Sequence, residues 1–119
     1  MRILEENVPL SLACQKNSLM RCLDAICGAM PVRRVVLFGS HARGQAGRDS
    51  DVDLCIVADG ADRQLGAAQC FRRAMREIRP KPAFTLVPIS PKRLAEKRKT
   101  GDHFFQTIEQ EGICLAQED

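Results

Sequence analysis

Apolar residues recur at helical spacing in three parts of the chain and form compact β-branched runs in others. Leu12, Leu19, Leu23, Ile26 and Met30 fall at three- and four-residue steps, which predicts a helix over residues 10–30 that Pro31 stops. Val32–Phe38 (VRRVVLF), bounded by Pro31 and Gly39, reads as a strand. Asp51–Val57 (DVDLCIV) reads as a second strand, closed by the turn-forming Ala58-Asp59-Gly60. A helix follows over residues 62–78, with Leu65, Ala68, Phe71, Met75 and Ile78 on its apolar stripe and Arg72, Arg73 and Arg76 off it. Pro80 and Pro82 end it, and Ala83–Ile89 (AFTLVPI) is a third strand that Pro88 assigns to a sheet edge or an early stop. Ser90-Pro91 starts a basic helix that runs to about Lys99. Asp102 caps a last helix through Glu111, with Phe104, Phe105 and Ile108 inward and Gly112 at its end; Ile113–Ala116 adds a short final strand. Strands alternating with helices predict an α/β or α+β domain: a small mixed sheet flanked by helices.

Length and composition narrow the class. With 119 residues, 45% of them apolar and 28% charged, the chain suits one compact domain over residues 1–119. No apolar run reaches the ~18 residues of a membrane span, and the first residues lack the layout of a secretion signal, so a membrane protein is not expected. None of the six cysteines (Cys14, Cys22, Cys27, Cys55, Cys70, Cys114) stands in a C-x2-C pair, and there are two histidines, which leaves no spacing for a zinc cage. The cysteines are expected to be free, to pack as small hydrophobes, and to suit a reducing cytoplasm.

The net charge of +3 is unevenly spread. Residues 63–99 hold eleven Lys or Arg against two acids, Glu77 and Glu96, so the remainder of the chain sums to −6. A solvated helix face explains such a run; nucleic acid, a triphosphate or an acidic protein are partners it would suit. Phe71 and Phe84 read as core rather than as stacking platforms, which makes nucleic acid the weaker alternative.

The chemistry concentrates between the first two strands, in GSHARGQAGRDS and the acids after it. Gly39 at a strand end lets the backbone approach an anion, and the Ser40 hydroxyl can cradle phosphate oxygens. Asp51 and Asp53 lie two apart and are expected on one strand face. Paired carboxylates on a rigid strand form a hard-oxygen site for Mg²⁺ and a bound phosphate, the cation relieving their mutual repulsion. His41 is read as a loop-surface residue and not as a base.

GSHARGQAGRDSDVDL (residues 39–54) resembles the signature of the nucleotidyltransferase superfamily related to DNA polymerase β: GS-x-A-x-G, a spacer, then SD-x-DL. The compact length is similar to the minimal nucleotidyltransferases (MNT) of bacteria and archaea, and the preceding helix, TLVPIS and TIEQEGICLA extend the match more weakly. The resemblance implies the polymerase β-like fold and transfer of a nucleoside monophosphate, most simply AMP from ATP, to a hydroxyl. It assigns Gly39 and Ser40 to the β and γ phosphates, Asp51 and Asp53 to Mg²⁺ or Mn²⁺ and catalysis, and Arg43 and Arg48 to neutralising the triphosphate. It also implies pairing with a HEPN toxin that some such proteins adenylylate as antitoxins. One position departs from the pattern: a third carboxylate is expected in a D-L-V-P-like run, and here the run is Phe84-Thr85-Leu86-Val87-Pro88. Thr85 cannot accept a proton near neutral pH and is a poorer metal ligand. The alternative reading is therefore a catalytically weakened nucleotide-binding module that acts by binding a partner protein.

Overall fold

In a computed structural model that describes all of residues 1–119, the order is β1 (Arg2–Ile3), α1 (Lys16–Ala29), β2 (Val32–Phe38), β3 (Val52–Ala58), α2 (Gln64–Ala74), β4 (Phe84–Ile89), α3 (Pro91–Thr100), α4 (His103–Glu111) and β5 (Ile113–Gln117). The strands form one mixed sheet in the order β1-β5-β2-β3-β4. β3 and β4 run parallel, joined by the α2 crossover, and the other neighbours are antiparallel. The expected α+β arrangement is thus the observed one.

Alternation along the central strands divides the core into two layers. Val35 and Leu37 of β2, and Val52, Leu54 and Ile56 of β3, join α1 and α2 in a cluster of 20 buried residues centred on Leu23, Ile26 and Phe71. Val36, Cys55, Val57 and Ile89 face the other way and meet Leu94 of α3 and Phe105 and Ile108 of α4 in a cluster of seven. Asp53 and Thr85 share the parity of this second, thinner face, and they lie where β3 and β4 begin.

Local chemistry sets the helix ends. Met30 is extended because Pro31 follows it, and α1 stops there. The Ser90 side chain accepts from the Arg93 amide at 3.2 Å with Pro91 in the first turn, and Gly101 closes α3 at φ +71°. The Asp102 carboxylate accepts from the Phe105 amide at 3.0 Å to begin α4. Ser90→Ala should therefore cost about 1 kcal/mol, read as a fall of about 4 °C in a thermal melt.

Several expectations need correction. Residues 10–15 form a 3-10 segment rather than the start of α1; the tighter coil still buries Leu12 but leaves Leu10 in solvent. α2 is shorter than residues 62–78, and its Leu65 is 75% exposed. Six residues before Phe71, Leu65 is rotated well away from the buried Ala67–Phe71 stripe. Phe104 is 49% exposed, because neighbouring residues on a helix cannot both point inward. The expected final strand does form, as β5; it lies inside the sheet between β1 and β2, and its Leu115 and Ala116 are fully buried. All six cysteines are free, but only Cys22 and Cys55 are fully buried; Cys14 is exposed and Cys27, Cys70 and Cys114 are half-buried. Burial pushes the Cys55 thiol up to about 12. No helix is long and apolar enough to cross a membrane.

Candidate active site

The loop from 39 to 51 joins antiparallel neighbours that a much shorter turn would connect, and it folds back over the sheet end. Phe38 pairs with Asp53, so Gly39 emerges directly against the Asp53 carboxylate. Gly39 sits at φ +76°, and a Cβ there would overlap the Asp53 side chain. Glycine is required twice over: for the left-handed backbone and for the close approach. The bend continues with the Arg43 amide donating to the Gly39 carbonyl (3.1 Å) and the Gln45 amide to the Ser40 carbonyl (2.9 Å). Ser40 is half-buried, and its hydroxyl makes no hydrogen bond within the chain.

Asp51 stands just before β3 and is exposed; Asp53 is the second residue of β3 and is half-buried. In the parallel pairing Asp53 lies beside Thr85. The Thr85 hydroxyl donates to Asp51 Oδ2 at 3.3 Å and lies close enough to Asp53 to favour its charged form. Burial pushes the Asp53 carboxyl above its ordinary range; the Thr85 hydroxyl opposes the shift, the Asp51 charge adds to it, and His41 and Arg43 offset part of it. Thr85 thus stands beside Asp53 in the register, and no group of three or more His, Cys, Asp or Glu is assembled to hold a metal.

His41 departs from its expected surface position. It is 4% exposed, with Nε2 at 3.3 Å from the Ser50 carbonyl and Nδ1 at 2.8 Å from Ser11 Oγ. A carbonyl can only accept, so Nε2 carries a proton toward Ser50, while Nδ1 hydrogen-bonds the Ser11 hydroxyl. His41 thus ties the Gly39–Ser40 bend to the residue before Asp51 and to the N-terminal 3-10 segment. No pattern in the sequence marks this role, since a lone histidine among small polar residues has no periodicity to report.

The two loop arginines separate. Arg43 is within electrostatic reach of Asp53, and its guanidinium lies 3.9 Å from Glu111 and 3.4 Å from Gln45. Arg48 is exposed on the far turn of the loop and makes no ion pair or hydrogen bond with this set. Between the Gly39 bend and α4 opens a groove of about 600 Å³ lined by Phe38, Arg43, His103, Phe104 and Glu111, among others. Phe104 packs edge-on against Phe38, with centroids 5.8 Å apart. The exposure of Phe104 is thus part of a groove wall, which the reading of α4 as a purely inward stripe missed.

The donors fit one hard divalent cation. Two carboxylates present oxygen ligands, and a cation would relieve both their repulsion and the burial cost at Asp53. Further ligands must come from phosphate or water. Chemically, the arrangement can hold a cation against a phosphate chain that lies along the Gly39–Ser40 bend.

A family model, the nucleotidyltransferase domain, matches residues 19–110. Among curated proteins, none matches the sequence. A solved structure from Sulfolobus solfataricus, described as a candidate nucleotidyltransferase, is similar over 86% of this chain and 79% of its own, at 15% identity and a TM-score of 0.55; at that identity the likeness concerns the fold. A toxin-antitoxin solved with AMP-PNP is similar over 87% of this chain and 73% of its own, at 22% identity and a TM-score of 0.49. The family match runs from α1 through α4 and so takes in both sides of the Gly39–Asp53 contact. With the glycine bend and the acidic strand inside the matched region, the chain belongs to the nucleotidyltransferase domain family.

Proposed function

We propose that residues 1–119 act as one nucleotidyltransferase unit that moves a nucleoside monophosphate, in its simplest form AMP from ATP, to a hydroxyl with the help of Mg²⁺ or Mn²⁺, the hydroxyl oxygen bonding to the α phosphorus as the α–β bond breaks and pyrophosphate leaves. The observation that carries this reading is the Gly39 backbone lying against Asp53, which sets a phosphate-sized bend beside paired carboxylates. Gly39 and Ser40 bind the β and γ phosphates, the latter through its uncommitted hydroxyl. Asp51 and Asp53 hold the cation, which when bound stabilises charge on the transferring phosphoryl group. Arg43 exchanges its long contact with Glu111 for the triphosphate. Arg48 serves the same charge at longer range, from the loop turn. His41 keeps the bend and Asp51 in register by bridging them.

Thr85 cannot take the proton of the acceptor hydroxyl near neutral pH. That proton must pass to water, to the acceptor, or to a partner chain. A HEPN toxin is the acceptor that the sequence signature implies, and the six free thiols suit a reducing, cytoplasmic setting for the pair. The presence of Thr85 beside Asp53 favours a second reading: a nucleotide-binding module that regulates its partner by contact, with transfer weakened or lost.

ATP labelled at the α phosphate, incubated with Mg²⁺ or Mn²⁺ and the co-purified partner, separates the two readings. Label on the partner, dependent on metal and absent with Asp51→Ala plus Asp53→Ala, is the result expected of the enzyme. Partner binding that survives both substitutions without any transfer would establish the module instead.

A further inference from the structure

The basic run of residues 63–99 divides into two surfaces of different character. On α3 the cations are largely spoken for: Arg93 pairs with Glu96 (3.4 Å), Lys97 with Asp102 (3.4 Å) and Arg98 with Glu109 (2.7 Å). On the other side of the sheet, Gln69, Arg72 and Arg73 of α2 join Arg76, Arg79 and Lys81, which follow it, around an open groove of about 600 Å³ with no apolar side chain in its lining. None of these five cations forms an ion pair, although Arg33, Arg43 and Lys16 elsewhere do. Glu77 is the one acid in the segment from 72 to 81, and it does not line the groove.

Two of the cationic side chains are held in place by backbone. Arg72 Nη2 donates to the Phe84 carbonyl at 3.1 Å, and Lys81 Nζ to the Ile78 carbonyl at 3.2 Å. Phe84 pairs with Val52, so the groove opens at the same end of the sheet as Asp51, within the α1 and α2 layer. Five like charges clustered within about a Debye length repel one another, and a ligand with regularly spaced negative charge relieves that repulsion. A protein partner would want an apolar centre to its contact, and a single strand would want rings on which to stack its bases; the groove has neither.

We propose that this groove docks the phosphate backbone of a nucleic-acid duplex. The inference rests on charge, lining and side-chain anchoring on α2, and it stands whether or not the carboxylate site transfers nucleotides. Backbone docking of this kind reads no sequence, and its affinity depends on the cations released from the duplex.

Fluorescence anisotropy with labelled mixed-sequence duplexes of about 20 base pairs tests it, over roughly 50 to 200 mM salt. DNA and RNA duplexes of equal length are run side by side; tighter binding of either supports the proposal and identifies the helix form that the groove fits. Five phosphate contacts give a log–log salt slope of about −4, a loss of a few hundred-fold in affinity across that range. The exposed pair Arg73→Gln with Arg76→Gln should lower the slope by about 2 and weaken binding more than about tenfold at the lowest salt. Lys92→Gln with Lys99→Gln, which removes the same charge from α3, should change little. Thermal melts of both variants establish that they are folded. No saturable binding at about 50 mM salt overturns the proposal, and so does equal loss with the α3 variant. A single strand of the same length, or polyglutamate, that outcompetes the duplex overturns it as well.

Discussion

Asp53→Asn is expected to abolish nucleotidyl transfer while making the metal-free protein more heat-resistant. The two effects have one origin. Asp53 is half-buried and stands close to the Asp51 charge, so its own charge is unfavourable until a cation arrives. Asparagine keeps the shape and removes the charge. As a lost metal ligand it should reduce transfer by more than about 100-fold. The sign of the pH dependence follows from the raised carboxyl. The folded state holds the Asp53 proton more tightly than the unfolded chain does, so the wild type loses stability as pH rises through the raised value. The asparagine variant lacks that loss. Its melting temperature should match the wild type in acid, where Asp53 is protonated in both states, and exceed it at neutral pH. Mg²⁺ at about ten times its Kd should add about 1.4 kcal/mol to the wild type and nothing comparable to the variant. Calorimetric melts with and without Mg²⁺ at two pH values measure all of this. A variant less stable than the wild type at neutral pH, in the absence of metal, would mean that the carboxylate is a structural partner and not a strained ligand.

This opposition also explains which parts of the molecule could be read from sequence. β2 was legible to the residue because its apolar run is bounded by Pro31 and Gly39, and α3 and α4 because Ser90, Asp102 and Gly101 carry their own capping chemistry. The placement of Gly39 at a strand end and of Asp51 and Asp53 at a strand start was legible because the apolar runs on either side mark those boundaries. What escaped was set by tertiary contact. β1 is two residues long and exists because β5 offers it an edge. Leu65 and Phe104 look apolar in sequence, yet the phase of each helix is fixed by the residues it buries, Phe71 in one and Phe105 with Ile108 in the other. His41 is buried and hydrogen-bonded to Ser11, thirty positions away, a relation no local pattern encodes. Arg48 shares the loop with Arg43 but not its neighbourhood, because the loop turns twice before reaching Asp51. The split of the basic run has the same cause: α2 and α3 lie on opposite faces of the sheet.

Thr85→Asp should turn the weakest feature of the site into its strongest. Position 85 stands beside Asp53 in the parallel register, on the same sheet face, and its present side chain already reaches Asp51. A carboxylate there would complete a cluster of three acids at the start of β3 and β4. Without metal, the added charge meets two others at short range, so the variant should melt lower than the wild type and gain more from Mg²⁺ or Mn²⁺. With metal, a third hard ligand should tighten binding by about tenfold or more, since a unit charge near 4 Å is worth up to about 4 kcal/mol at an effective dielectric of 20. A base beside the acceptor hydroxyl should raise transfer by about 100-fold or more if the rest of the machinery is intact. Isothermal titration with Mn²⁺ and the labelled-ATP assay read the two effects separately. Tighter metal binding without faster transfer would place the lost capacity elsewhere than at position 85, and would favour the binding module. Weaker metal binding would show that position 85 does not point at the cation, which removes the reason to regard threonine there as a defect.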